Sequence, residues 1–265
     1  MRVAVLACLL SACQFTPLMN RIAVGEEAMV IFVAEAGDGS TDLFAVSAGG
    51  GPVHQLTFNR PVESHPALSP DGTVVAFLRQ PVRGDSTTRE VAVMNLVNAA
   101  ERRLPLPAEA GAPLRLAWTD DGGGILVRTT TGVWQMVAPP AAPAARRLEA
   151  GELARADTLL AVGLGHPVFA VVEPCGEGGL CAAGAGGQRQ ELTSRGTMPF
   201  RWGADSVAWF DQDRIEVRPL GAGRSRQVMW TRAPRNPRQA THAPGPGSSR
   251  RGESGLMEPP GPATR

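Results

Sequence analysis

Carboxylates, imidazoles and thiols are the side chains of this sequence that could do chemistry, and their spacing narrows what that chemistry is. The four histidines, His54, His65, His166 and His242, are scattered, and none has a second ligand at the spacing a metal site requires. Asp38-Gly39-Ser40-Thr41-Asp42 has the outline of a calcium loop but lacks the spaced third carboxylate and distal Glu of such sites, so a turn accounts for it. Asp71, Asp121 and Asp205 each sit in a short polar phrase between apolar runs, where Asp bonds nearby backbone amides; they read as turn residues, not catalytic carboxylates. Neither a Gly-x-Ser-x-Gly elbow nor a glycine-rich phosphate or dinucleotide loop occurs. The expectation is no catalytic residue, no cofactor and no metal. Cys175 and Cys181 flank Gly176-Glu177-Gly178-Gly179-Leu180, a stretch able to reverse sharply, which leaves a disulfide, a redox pair or half a metal site as their possible chemistry.

The elements that must position these residues repeat. A short apolar run recurs as Asp42–Val46, Glu90–Met94, Gly132–Met136, Gly179–Ala183 and Arg214–Arg218. The interval, about 35 to 48 residues, belongs to arrays of supersecondary units. Between the runs lies a strand–turn–strand phrase. It is clearest in Pro66-Ala67-Leu68-Ser69-Pro70-Asp71-Gly72-Thr73-Val74-Val75-Ala76-Phe77, and returns at Leu116–Val127 and Phe200–Trp209. Pro and Gly supply the dihedrals a hairpin turn requires, and Leu68, Trp118 and Trp202, just before each turn, are placed to plug between neighbouring sheets. Four short strands in each repeat of about 43 residues is propeller arithmetic.

The phrase from Ser64 to Leu78, with the Leu-Thr endings Leu56-Thr57 and Leu192-Thr193, resembles the WD40-like (PD40) repeat of TolB-like proteins and of prolyl-oligopeptidase propellers. That resemblance spans residues 21–230 and implies an all-β fold, a β-propeller of about five four-stranded blades, with six possible. The fourth unit, around Val162 to Val171, lacks the turn signature. The chain also lacks the separate N-terminal domain of TolB and the hydrolase domain of the peptidases, so the resemblance implies the repeat fold alone.

At the N-terminus, Met1-Arg2, the apolar run Val3–Leu10 and then Leu10-Ser11-Ala12-Cys13 resemble the signal of bacterial lipoproteins. Eight apolar residues as a helix reach about 12 Å, against about 30 Å of hydrocarbon, so this segment does not span. The resemblance implies a signal peptide at 1–12, lipidation of Cys13, a linker over 13–20 and export to the cell envelope. Gln14 follows the Cys where Asp would signal inner-membrane retention, which leans toward the periplasmic side of the outer membrane. Export would put Cys175 and Cys181 in an oxidising compartment. With Cys8 removed and Cys13 acylated, these two would have only each other, and a disulfide is expected.

Composition sets the remaining bounds. The 265 residues are 43% hydrophobic and 19% charged with net charge +1, so no global field argues for nucleic acid. All 26 basic residues are Arg, and basic side chains are not clustered with aromatics. Residues 231–265 are rich in Pro, Gly and Arg and read as a disordered tail, too poor in apolar side chains to offset its ordering entropy. Taken together these readings favour a lipid-anchored, non-catalytic binding or scaffold module for an envelope protein, peptide or glycan. The alternative is a propeller lyase or hydrolase with its site on the channel face, and fold alone does not choose between them.

Overall fold

The computed structural model describes residues 18, 21–36, 40–58, 61–81, 84–160, 168–169, 171–184, 186–202, 205–211, 214–221, 223–231 and 235–243. In chain order the first strands are β1 (Met29–Glu35), β2 (Thr41–Ser47), the two-residue β3 (Gly51–Pro52) and β4 (His54–Gln55), β5 (Val62–Leu68), β6 (Val74–Gln80), β7 (Glu90–Asn95) and β8 (Glu101–Leu104). There follow β9 (Pro113–Trp118), β10 (Gly124–Thr129), β11 (Val133–Val137), β12 (Ala145–Arg147) and one α-helix, α1 (Ala150–Leu160). The chain continues with β13 (Val171–Cys175), β14 (Gly179–Ala183), β15 (Arg189–Thr193), β16 (Thr197–Trp202), β17 (Ser206–Asp211), β18 (Arg214–Pro219), β19 (Arg226–Thr231) and β20 (Arg235–Ala243).

Alternation divides each inner strand between two cores. In β1, Met29, Ile31 and Val33 enter one cluster with Phe77 and Leu43, while Val30, Phe32 and Ala34 enter another with Phe210 and Trp230. In β6, Val75 and Phe77 face the first cluster and Ala76 and Leu78 a third, shared with Trp118 and Ile125. In β17, Val207 and Trp209 pack toward Leu180 and Leu192, and Ala208 and Phe210 toward Phe32. A strand buried on both faces reads as an unbroken apolar run, which is why Met29-Val30-Ile31-Phe32-Val33-Ala34 has no polar face.

The expected ring of about five, or six, equivalent four-stranded blades is not what forms. The described residues build sheets of eight, four, three and five strands, and no sheet closes on itself. A parallel bridge, Thr41 with Val62, runs the first two repeats into one sheet of order β20-β1-β2-β5-β6-β7-β8, with β4 on β2. The second sheet is β12-β11-β10-β9, the third β13-β14-β15, and the fourth β16-β17-β18-β19-β3. In that last sheet Gly51–Pro52 is drawn parallel onto Trp230–Thr231. The backbone there is close: a Cβ on Gly50, at φ +91°, would lie 2.5 Å from the Met229 carbonyl oxygen. Local repeats therefore produced an all-β fold of mixed sheets with one helix, because side-chain pattern specifies strands but not which edges join.

Two further departures have visible causes. The helix α1 stands after the third repeat, where Leu153, Ala156 and Leu160 follow helical rather than strand spacing and pack on Ala117, Leu126 and Val133. Its first turn is capped by Glu152, whose Oε2 accepts from the Glu149 amide at 3.1 Å. The second departure is β20, which arises in the segment read as a disordered tail. It pairs antiparallel with β1, with Met29 opposite Ala243, Phe32 opposite Ala240 and Glu35 opposite Arg235. Its backbone satisfies the amides and carbonyls of a fully buried strand, a role that requires no apolar side chains. Residues 244–265 lie outside the described residues. So do residues 1–12 and Cys13; within the 13–20 stretch Leu18 is described, buried beside Ile22 in the first core.

Candidate functional site

The most buried charge in the described residues is structural. The Glu63 side chain is wholly inaccessible; its Oε1 accepts from Arg79 Nη2 at 2.8 Å and its Oε2 from the Thr57 hydroxyl. Arg79 also pairs with Glu101 at 2.7 Å, and Thr57 Oγ1 accepts from the Leu43 amide at 2.9 Å. Asp42 is held alongside by Gln55 Nε2 at 2.7 Å. Burial pushes the Glu63 carboxyl up even though Thr57 and Arg79 pull it down. With both oxygens engaged, this carboxylate ties β2, β5, β6 and β8 together and is not free for acid–base chemistry.

A different region presents unengaged groups. Four strands from three sheets, β9, β5, β20 and β16, lie side by side, β20 packing against both β5 and β16 and β5 against β9. Each carries a proline: Pro113 at the start of β9, and Pro66, Pro199 and Pro237 after His65, Met198 and Asn236. Among the described residues, three of the four non-glycine residues with positive φ fall here, His65 at 52°, Met198 at 51° and Gln239 at 35°. Such conformations cost of order 1–3 kcal/mol each and persist only where the surroundings impose them. Met198 and Leu114 are large apolar side chains left 43% and 37% exposed on these strands.

His65 is the hub of this region. Its amide donates to Gln239 Oε1 at 2.6 Å, which orients the amide group so that Gln239 Nε2 faces His65 Nε2 at 3.2 Å. His65 Nε2 is then the acceptor and the ring proton is assigned to Nδ1, a buried atom with no hydrogen-bond partner among the described residues. Burial, and after it the charges of Arg89 and Arg115, lower this imidazole from 6.5 to about 4. Further along β20, the His242 ring stacks on Trp202 at 4.2 Å between centroids, and the Arg226 guanidinium lies 4.8 Å from the same indole ring. Burial first, then Arg226, lowers His242 to about 3. Both imidazoles are neutral at pH 7.

Two cavities adjoin the second sheet. One, of about 510 Å³, is bounded by Arg89, Val91, Leu104, Leu106, Pro107 and Pro113 among others, between β7, β8 and the start of β9. The other, of about 430 Å³, lies under α1, floored by Leu126, Leu148 and Ala156 and rimmed by Asp120, Asp121 and Arg155. Arg155–Asp120 at 2.7 Å and Arg146–Glu152 at 2.7 Å are exposed ion pairs at the helix, and Arg128 pairs with Asp157.

The remaining sequence-derived candidates fall apart in space. Asp71 accepts from the Ser69 hydroxyl at 2.6 Å and from the Thr73 amide at 3.1 Å, inside the turn where Gly72 has φ 72°. Asp121 does the same with Thr119 at 2.6 Å and Gly123 at 3.0 Å. Trp118 sits between sheets, its Nε1 donating to the Ala67 carbonyl at 2.8 Å. Cys175 and Cys181 are bonded across the β13–β14 hairpin with Cα atoms 5.7 Å apart. His54 lies on β4, away from His65, and His166 is outside the described residues. Among the described residues no three His, Cys, Asp or Glu side chains gather as metal ligands, and no helix is long and apolar enough to cross a membrane. Sequence reasoning missed Arg89, Arg115, Met198 and Gln239. The four converging strands share an X-Pro step, His65-Pro66, Ala112-Pro113, Met198-Pro199 and Asn236-Pro237, but β13 with Pro174 and β18 with Pro219 carry one too, so the step did not single them out.

Comparison with known proteins gives a partial likeness. No family model matches the chain. A stretch of 93 residues, 35% of the chain, is 30% identical to a protein TolB homolog of Chlorobium luteolum. The match covers 20% of that relative, so this chain corresponds to about a fifth of its length. Among solved structures, TolB from Acinetobacter baumannii aligns over 76% of this chain and 53% of its own, with 11% identity and a TM-score of 0.39. A Bacteroides caccae protein of unknown function aligns over 77% and 73%, with 13% identity and a TM-score of 0.30.

Proposed function

We propose that this chain is a non-catalytic binding module of the bacterial cell envelope, anchored through a lipid on Cys13. Its binding face is the region where β5, β9, β16 and β20 converge. The observation that carries this reading is the concentration there of strained, non-glycine backbone at His65, Met198 and Gln239, beside exposed Met198 and Leu114. Strain of this kind is retained where a surface must hold a fixed shape, and scattered apolar side chains among polar ones suit a partner that is itself a folded protein, a peptide or a glycan. The partial likeness to a TolB homolog supports an envelope setting. The reading assigns no catalytic role to Glu63 or Asp42, whose oxygens are spent on neighbouring strands.

A photo-reactive amino acid placed at Met198 tests it in cells. Cross-linked adducts with an envelope component are expected from that position and not from an equivalent substitution at Val97, which is 58% exposed on a distant turn. Equal labelling from both positions, or from neither, would overturn the assignment of this face.

A further inference from the structure

The cavity of about 510 Å³ beside the converging strands has an unbalanced charge. Of its ionic side chains, Arg103 and Glu90 neutralise one another, Nε to Oε2 at 2.9 Å. Arg89 remains. Its only hydrogen bond among the described residues is from Nε to Gln80 Oε1 at 3.3 Å, which leaves both terminal nitrogens unused. The opposite character comes from Leu104, Pro105, Leu106, Pro107 and Pro113, an apolar wall stiffened by three prolines. A second cation stands nearby: Arg115, on the strand that Pro113 begins, has no hydrogen-bond or ion-pair partner among the described residues, and its charge is felt at His65 together with that of Arg89.

We propose that this cavity binds an organic carboxylate, the carboxylate against the Arg89 guanidinium with Arg115 as the supporting charge, and the apolar body on Leu106 and the prolines. The inference deepens the binding-face reading and rests on it, since Arg115 and His65 belong to that face. A guanidinium offers two parallel N–H donors that match a carboxylate's two oxygens. The volume is that of an ordinary small-ligand pocket, and a bare inorganic anion would leave its apolar wall unused. Binding has an electrostatic signature. The bound negative charge offsets the two cations that, after burial, add to the lowering of His65, so the imidazole becomes easier to protonate.

The test uses the intact chain and nuclear magnetic resonance of the His65 ring, titrated with phenylacetate, phenylacetamide, acetate and inorganic phosphate. Phenylacetate is expected to give saturable shifts and to raise the His65 pKa by about one pH unit. Phenylacetamide should leave it unmoved, and acetate and phosphate should bind at least about tenfold more weakly. Arg89→Gln should abolish the response. Arg115→Gln, at an exposed position, should keep the fold and halve the pKa change. Phosphate binding as tightly as phenylacetate would reduce the site to a cationic patch, and equal response to the amide, or persistence in Arg89→Gln, would overturn the proposal. If Met198 still cross-links while phenylacetate fails, only this inference falls; loss of the Met198 adducts removes the face itself.

Discussion

The Arg79 guanidinium and the Glu63 carboxylate meet at 2.8 Å with Glu63 wholly buried and Arg79 16% exposed. Removing the cation leaves a buried, uncompensated charge, the situation in which one lost partner costs about 3–5 kcal/mol. Arg79→Ala should therefore unfold at much lower denaturant, and Glu63→Gln should cost less because no charge is stranded. The pH dependence separates the two. Without Arg79 the Glu63 carboxyl rises further above its unfolded value near 4.5, so the folded state binds the extra proton. Arg79→Ala should then regain stability as pH falls toward 5, relative to Glu63→Gln measured alongside.

Acid should act first on β20. His242, lowered to about 3, and His65, lowered to about 4, are neutral when folded and titrate near 6.5 when unfolded. Their contribution is complete above pH 6.5 and is lost as pH falls through about 4 and about 3. Glu152, held down to about 2 first by the hydrogen bond from Arg146, loses its contribution only as pH falls below about 4.5 toward 2, below the pH at which the two imidazoles start to act. Urea midpoints should fall between pH 6.5 and 4.5, with amide exchange rising earliest in β20. A double variant, His65→Gln with His242→Gln, should flatten that slope. An unchanged slope would contradict the assignment.

The disulfide closes a short loop in the smallest sheet. Linking Cys175 to Cys181, six residues apart, removes unfolded-state freedom by roughly 2 kcal/mol on the chain-entropy account. Paired Cys→Ser substitutions should lower the thermal midpoint by a few degrees, about as much as reductant lowers that of the unaltered protein. Thiol counting on the denatured, unreduced mature chain checks the bridge itself: two free thiols at these positions would sink it.

The proposed anchoring rests on one atom, the Cys13 sulfur, and is tested there. Cys13→Ser should move the protein from the membrane fraction to the soluble fraction, or leave the precursor uncleaved. The mature N-terminal peptide should carry two or more acyl chains, since a single chain holds only marginally. An intact Met1 on the mature protein would remove this reading.

What the sequence determined by itself is local. The Ser69–Thr73 turn, the Asp121 turn and the strand Gly179–Ala183 were legible because their hydrogen bonds and side-chain alternation close within a few residues. Trp118 was legible as a plug because a large apolar ring beside a turn has nowhere dry to go but between sheets. Tertiary structure alone decided the partners. His65 meets Gln239 from 174 residues away, Thr41 joins Val62 to fuse two repeats into one sheet, and a Pro- and Arg-rich segment becomes the strand beside β1. Strand pairing is made of backbone amides and carbonyls, which every residue except proline supplies alike. Side-chain pattern can therefore state that a strand exists, whereas the edge it joins is chosen by the packing of the whole chain.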